Sequence, residues 1–100
     1  MPLDHRNLLT IVTEAALEHE LAGEILRLGG TGYTITDARG KGGRGVRNAS
    51  WAPSANIRIE VVCADATAQA IAAALRERYY DNYAMILFVA DVAVLRPDKF

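Results

Sequence analysis

The sequence predicts an α+β fold of the ferredoxin-like kind, a βαββαβ sandwich in which two helices cover a four-stranded antiparallel sheet. Three observations lead there. Two segments repeat apolar residues at three- and four-residue spacing, four short segments are β-branched or alternating, and each helical segment falls between two strands. Two such strand–helix–strand halves satisfy the right-handed crossover rule twice. One hundred residues with 51% hydrophobic content suit one continuous core, so residues 1–100 read as a single domain.

Asn7 to Thr13 (NLLTIVT) is short, apolar and β-branched, and reads as a buried strand. From Ala15 to Leu28 the period changes: Leu17, Leu21, Ile25 and Leu28 line one face of an amphipathic helix, with Thr13 placed to cap it and Glu14 and Glu18 near its positive end. Gly29-Gly30-Thr31-Gly32 ends it. Tyr33 to Ala38 alternates, and Ile57 to Cys63 (IRIEVVC) alternates most clearly of all. Asp65 is placed to cap a helix from Ala66 to about Tyr80, with Ala68, Ile71, Ala72, Leu75 and Tyr79 inward. Residues 85–90 form the last strand, and their apolar run suggests burial. That run, Ala84 to Ala90 and then Val92 to Leu95, is well short of the ~20 residues of a membrane span.

The connection between the second and third strands is the anomaly. Hairpin loops usually have about 2–5 residues, whereas this one runs from Arg39 to Ala55. Between Arg39 and Arg58 stand five cations (Arg39, Lys41, Arg44, Arg47, Arg58) and no acid, while the rest of the chain sets six cations against twelve acids. A cationic island on an acidic body points to a local anionic ligand more than to a nucleic-acid or membrane coat. Glycines let the backbone approach such a ligand and turn amide N–H groups toward it, and arginines add bidentate contacts to phosphate. The same composition also fits a solvated loop. Trp51, inside the loop, is either tucked against the body or held ready for a partner.

Several classes find no support. Cys63 is the only cysteine, which excludes an intramolecular disulfide and a cysteine-cluster metal site. His5 and His19 have no third ligand at metal-binding spacing and read as surface residues; no metal is expected. No nucleophile–base arrangement is legible, so the chain does not read as an enzyme. The N-terminus lacks an apolar signal core behind a basic start, and a cytoplasmic location is expected.

Gly32-Tyr33-Thr34-Ile35-Thr36-Asp37, followed by Gly40-Lys41-Gly42 and Arg44, resembles the start of the large flexible T-loop of PII signal-transduction proteins. Ile57 to Val62 and Phe88 to Val92 sit where that family places its third and fourth strands. The GKGxRxVR stretch and Tyr79-Tyr80-Asp81-Asn82-Tyr83 are more similar still to PII-like regulators of bicarbonate transporters and carboxysomes, and the resemblance spans about residues 7–95. It implies a homotrimer that binds adenine nucleotides in clefts between subunits, with residues 39–55 as the T-loop. Thr34, Glu60 and Val62 fall where the family contacts adenosine, and Gly40, Lys41, Gly42, Arg44 and Arg47 where it meets phosphates. Arg96 matches a basic position after the last strand. Thr34 and Glu60 taken singly fit equally well as ordinary outward residues of half-buried strands.

The departures from the family matter too. Arg76 to Tyr83 stands where PII proteins have a glycine-rich loop with a lysine, so a triphosphate loses one cradle. Gly45 replaces the glutamine that serves magnesium and 2-oxoglutarate, the loop has no tyrosine for uridylylation, and the chain ends without the paired cysteines of the cyanobacterial transporter regulators. ADP or AMP is therefore favoured, with ATP and cyclic AMP left open. Bicarbonate is an implied second ligand, and a membrane bicarbonate transporter or carboxysome-linked protein an implied partner. The rivals are an RNA-recognition module, which needs stacking aromatics that Ile57 to Cys63 lacks, and a small phosphatase, which needs a committed nucleophile. No nucleic-acid partner is expected.

Overall fold

The computed structural model describes residues 3–40 and 56–100. Its elements are β1 (Asp4–Glu14), a 3-10 turn (Ala15–Leu17), α1 (Glu18–Arg27), β2 (Thr34–Ala38), β3 (Asn56–Cys63), α2 (Asp65–Arg78), β4 (Ile86–Val94) and a closing 3-10 turn (Pro97–Lys99). The strands form one antiparallel sheet in the order β2-β3-β1-β4, the expected ferredoxin-like arrangement.

The two-residue period sorts the strand side chains onto two faces. Leu9 and Ile11 of β1 stand opposite Val61 and Ile59 of β3, and all four are buried with Leu21 and Ile25 of α1 and Ala68, Ile71 and Leu75 of α2. Both helices therefore cover one face, and the core lies between them and the two central strands. Cys63 ends β3 in this layer, where burial, reinforced by the charge of Asp65, raises its thiol pKa above the ordinary range.

The helix ends depart from expectation. β1 continues through Thr13, which pairs opposite Ile57 and is fully buried, so its hydroxyl does not cap a helix. A 3-10 turn intervenes and α1 starts at Glu18, with Glu18 and Glu20 in its first turn. The far end is a Schellman motif: Gly30 N–H donates to Ile25 O at 2.9 Å, Gly29 N–H to Leu26 O at 3.3 Å, and Gly29 takes φ 109°. At α2 the capping position belongs to Ala64, and no side chain caps it. Asp65 lies inside the first turn, where its carboxylate accepts 2.8 Å from the buried Asn7 amide.

β4 is the larger correction. It runs from Ile86 to Val94 at the sheet edge, and Ile86, Phe88 and Val89 are 58%, 49% and 44% exposed rather than buried. The helices pack over the central strands, which leaves the edge strand bare.

Candidate functional site

Among the described residues, neither helix covers the face of the sheet opposite the core. Register builds a row across it: Thr34 of β2 faces Glu60 of β3, Glu60 faces Thr10 of β1, and Thr10 faces Phe88 of β4. Beside it run Thr36, Arg58, Val12 and Ile86 on one side and Val62, Leu8 and Ala90 on the other. Residues directly opposite in an antiparallel pair have Cβ atoms about 4.5–5.5 Å apart, so Thr34 and Glu60 present a hydroxyl and a carboxylate side by side. Arg58, two residues before Glu60 and on the same face, holds that carboxylate at 3.2 Å, with both side chains open to solvent.

Three residues expected to meet a nucleoside, Thr34, Glu60 and Val62, are thus neighbours on one open face. Gly40 lies just beyond the end of β2, and a Cβ there would meet nothing within 4 Å, so packing within the chain does not require glycine. Lys41, Gly42, Arg44, Arg47 and Trp51 lie outside the described residues. Arg96 follows β4 at the opposite end of the sheet. Asp4 pairs with Val94, while Glu14 pairs through Asn56 with Ala38. The ten residue steps of β1 from Asp4 to Glu14 span about 33 Å. One chain therefore does not bring Arg96 to a phosphate held at Gly40.

Two residues of this face escaped the sequence reading. Arg58 was counted only as part of the cationic island, although its two-residue spacing from Glu60 was visible. Thr10 gave no signal: it is fully buried on the open side, and its hydroxyl has no hydrogen-bond partner among the described residues.

The perturbed titratable groups lie on the helix side. Arg27 donates to Glu24 at 2.7 Å and Arg78 joins from α2; the hydrogen bond from Arg27 does most to hold the Glu24 carboxyl below its ordinary value. Burial raises the Tyr79 phenol pKa, helped by the hydrogen bond it donates to Glu20 at 2.9 Å. These contacts tie α1 to α2. Among the described residues no group of three or more His, Cys, Asp or Glu is placed to hold a metal, and no helix is long and apolar enough to cross a membrane. The open face thus offers hydrogen-bond acceptors and the cations Arg58 and Arg6 for binding.

The chain matches the profile of the family described as nitrogen regulatory protein P-II over residues 6–99. It is similar to the crystal structure of a putative PII-like signaling protein from Thermus thermophilus at 44% identity and TM-score 0.85, covering 100% of this chain and 99% of that one. It is also similar to CPII from Thiomonas intermedia bound to ADP and bicarbonate, at 26% identity and TM-score 0.85, covering 98% of this chain and 96% of that one. CPII bound to ADP, AMP and acetate aligns at 25% identity and TM-score 0.87, covering 100% and 98%.

Proposed function

The chain belongs to the nitrogen regulatory P-II family, and on that premise we propose that it is a trimeric regulator that binds ADP or AMP in clefts between protomers, senses bicarbonate, and reports both through residues 39–55. The family is regulatory rather than catalytic. The observation that carries the reading is the open face: Thr34 and Glu60 sit side by side on a sheet surface that the two helices leave uncovered, while Arg96 and Gly40 follow strands at opposite ends of the sheet, which supports a site with parts from two chains.

On this reading Thr34, Glu60 and Val62 receive the nucleoside. Glu60 accepts from ribose hydroxyls, and Gly40, Lys41, Gly42, Arg44 and Arg47 surround the phosphates. Arg96, after the last strand, adds to the charge around them. The structures of CPII with ADP and bicarbonate, and with ADP, AMP and acetate, support both ligand classes. Bicarbonate is a small planar anion of the kind a guanidinium grips with two hydrogen bonds. The audience is a cytoplasm-facing transporter or a carboxysome-linked protein in inorganic-carbon uptake. An RNA-binding role gains nothing from the face, since the open positions of β3 hold Arg58, Glu60 and Val62 and no stacking aromatic.

Calorimetry with AMP, ADP, ATP and cyclic AMP tests the binding: micromolar or tighter uptake of ADP or AMP is expected, and uptake of none of the four refutes it. Hydrogen exchange then tests the output. Amides of residues 40–47 gain protection on adding ADP and change again on adding bicarbonate. Exchange that is unchanged at saturating ADP removes the switch, and a response to ADP alone removes the carbon link.

A further inference from the structure

The last six residues do not trail from the sheet. Pro97–Lys99 forms a 3-10 turn closed by Lys99 N–H to Arg96 O and Phe100 N–H to Pro97 O, both 3.1 Å. Two side chains from distant parts of the sequence hold it. Arg6 of β1 donates from Nη2 to Pro97 O at 3.2 Å and from Nη1 to its neighbour's carbonyl, His5 O, at 2.8 Å. Thr31, between α1 and β2, donates from Oγ1 to Lys99 O at 2.7 Å.

The guanidinium of Arg6 shows what this arrangement costs. Its Nε is fully covered and has no hydrogen-bond partner among the described residues. An arginine kept only for charge would leave that nitrogen in water, because burying a donor unpaired is unfavourable. Here the fork is spent on carbonyls, one of them in the tail, and Nε is given up for it. Arg6 also stands on the open face, at the position opposite Val92. The fastened segment begins with Arg96, an exposed cation whose own side chain makes none of these tail contacts.

We infer that Arg6 and Thr31 are positioning residues for nucleotide binding: they clamp the tail so that Arg96 is presented, already ordered, to the phosphate of a bound nucleotide. This rests on the function proposed above and names two further residues of that site, neither of which touches the ligand. Ordering a long cation in advance removes conformational entropy that binding would otherwise have to overcome. Thr31 also lies three residues before Thr34, so one loop both fixes the tail and leads into the nucleoside-binding strand.

The test is a double-mutant cycle read by calorimetry with ADP, with oligomeric mass checked by light scattering. Thr31→Val and Arg6→Lys each weaken ADP about three- to tenfold, Thr31→Ser restores affinity, and Arg96→Ala weakens it about tenfold. Adding either clamp variant to Arg96→Ala produces no further loss, because both act through the same guanidinium. A merely structural role predicts losses that multiply. Multiplying losses, or clamp variants that bind like wild type, overturn the inference while leaving the functional reading intact. Thr31 is exposed, so its variants decide the matter if Arg6→Lys fails to fold. If the wild-type protein takes up no ADP, the functional reading falls and the inference with it.

Discussion

If the chain assembles as proposed, Phe88→Asp should convert the trimer into a folded single chain. Phe88 is 49% exposed, on the edge strand and opposite Thr10 on the uncovered face. A phenylalanine buries roughly 150–250 Å² when enclosed, so about 100 Å² of this ring still faces water, and covering it in an interface contributes about 2.5 kcal/mol per copy. Three copies around a threefold axis contribute about 7 kcal/mol. The aspartate removes that and adds the desolvation of a carboxylate, an effective penalty of several kcal/mol per ion. The core of Leu9, Ile11, Ile59 and Val61 faces the helices on the other side of the sheet, so the chain keeps its secondary structure. Light scattering at micromolar protein should show wild type near 33 kDa, about three times the 10.9 kDa chain, and Phe88→Asp at the single-chain mass. Circular dichroism of the two should overlay, and Phe88→Leu should stay assembled. A Phe88→Asp protein still near 33 kDa, or a wild type at the single-chain mass, refutes the reasoning.

Arg44→Ala should weaken ADP by about tenfold or more, since a charge-assisted hydrogen bond contributes about 1.5–3 kcal/mol; calorimetry showing unchanged affinity would count against a phosphate role for residues 40–47. The Glu24 carboxyl is held below its ordinary value, so it adds stability above that value and loses it as pH falls through the lowered one. Thermal melts should show Glu24→Gln below wild type at neutral pH and level with it in strong acid. Because burial raises the Cys63 thiol pKa, iodoacetamide should label the native protein far more slowly than the denatured protein at about pH 8; equal rates would place the thiol at the surface.

How much was legible depended on what each segment packs against. β3 and α2 were clear because each is covered on one side, and the pattern of β3 (Ile57, Ile59, Val61 and Cys63 inward) is written directly as alternation. β4 misled because an apolar run looks the same whether its cover comes from its own helices or from elsewhere. Thr13 looked like a cap because the sequence does not tell where a strand stops; pairing opposite Ile57 settled it. For the site, residue types at Thr34, Glu60 and Val62 suggested a role, but their adjacency depends on hairpin register. A connection of this length hides the register from anyone counting residues. Arg6 and Thr31 were invisible because both act on carbonyls of Pro97 and Lys99, which any residue type would supply.

Because each chain keeps Arg96 and Gly40 at opposite ends of its sheet, on the trimeric reading two damaged versions of the protein should repair one another. A chain with Arg44→Ala has lost a cation of its loop but still lends an intact Arg96; a chain with Arg96→Ala is the reverse. Homogeneous trimers of either kind would be defective in every cleft. In a ring that mixes them, the loop of an Arg96→Ala chain would meet the tail of an Arg44→Ala chain once per trimer, and after random reassembly of an equal mixture about a quarter of the clefts would be whole. Co-expressed alleles should therefore complement in the cell where each fails alone, whereas a site built within one chain would gain nothing from the mixture.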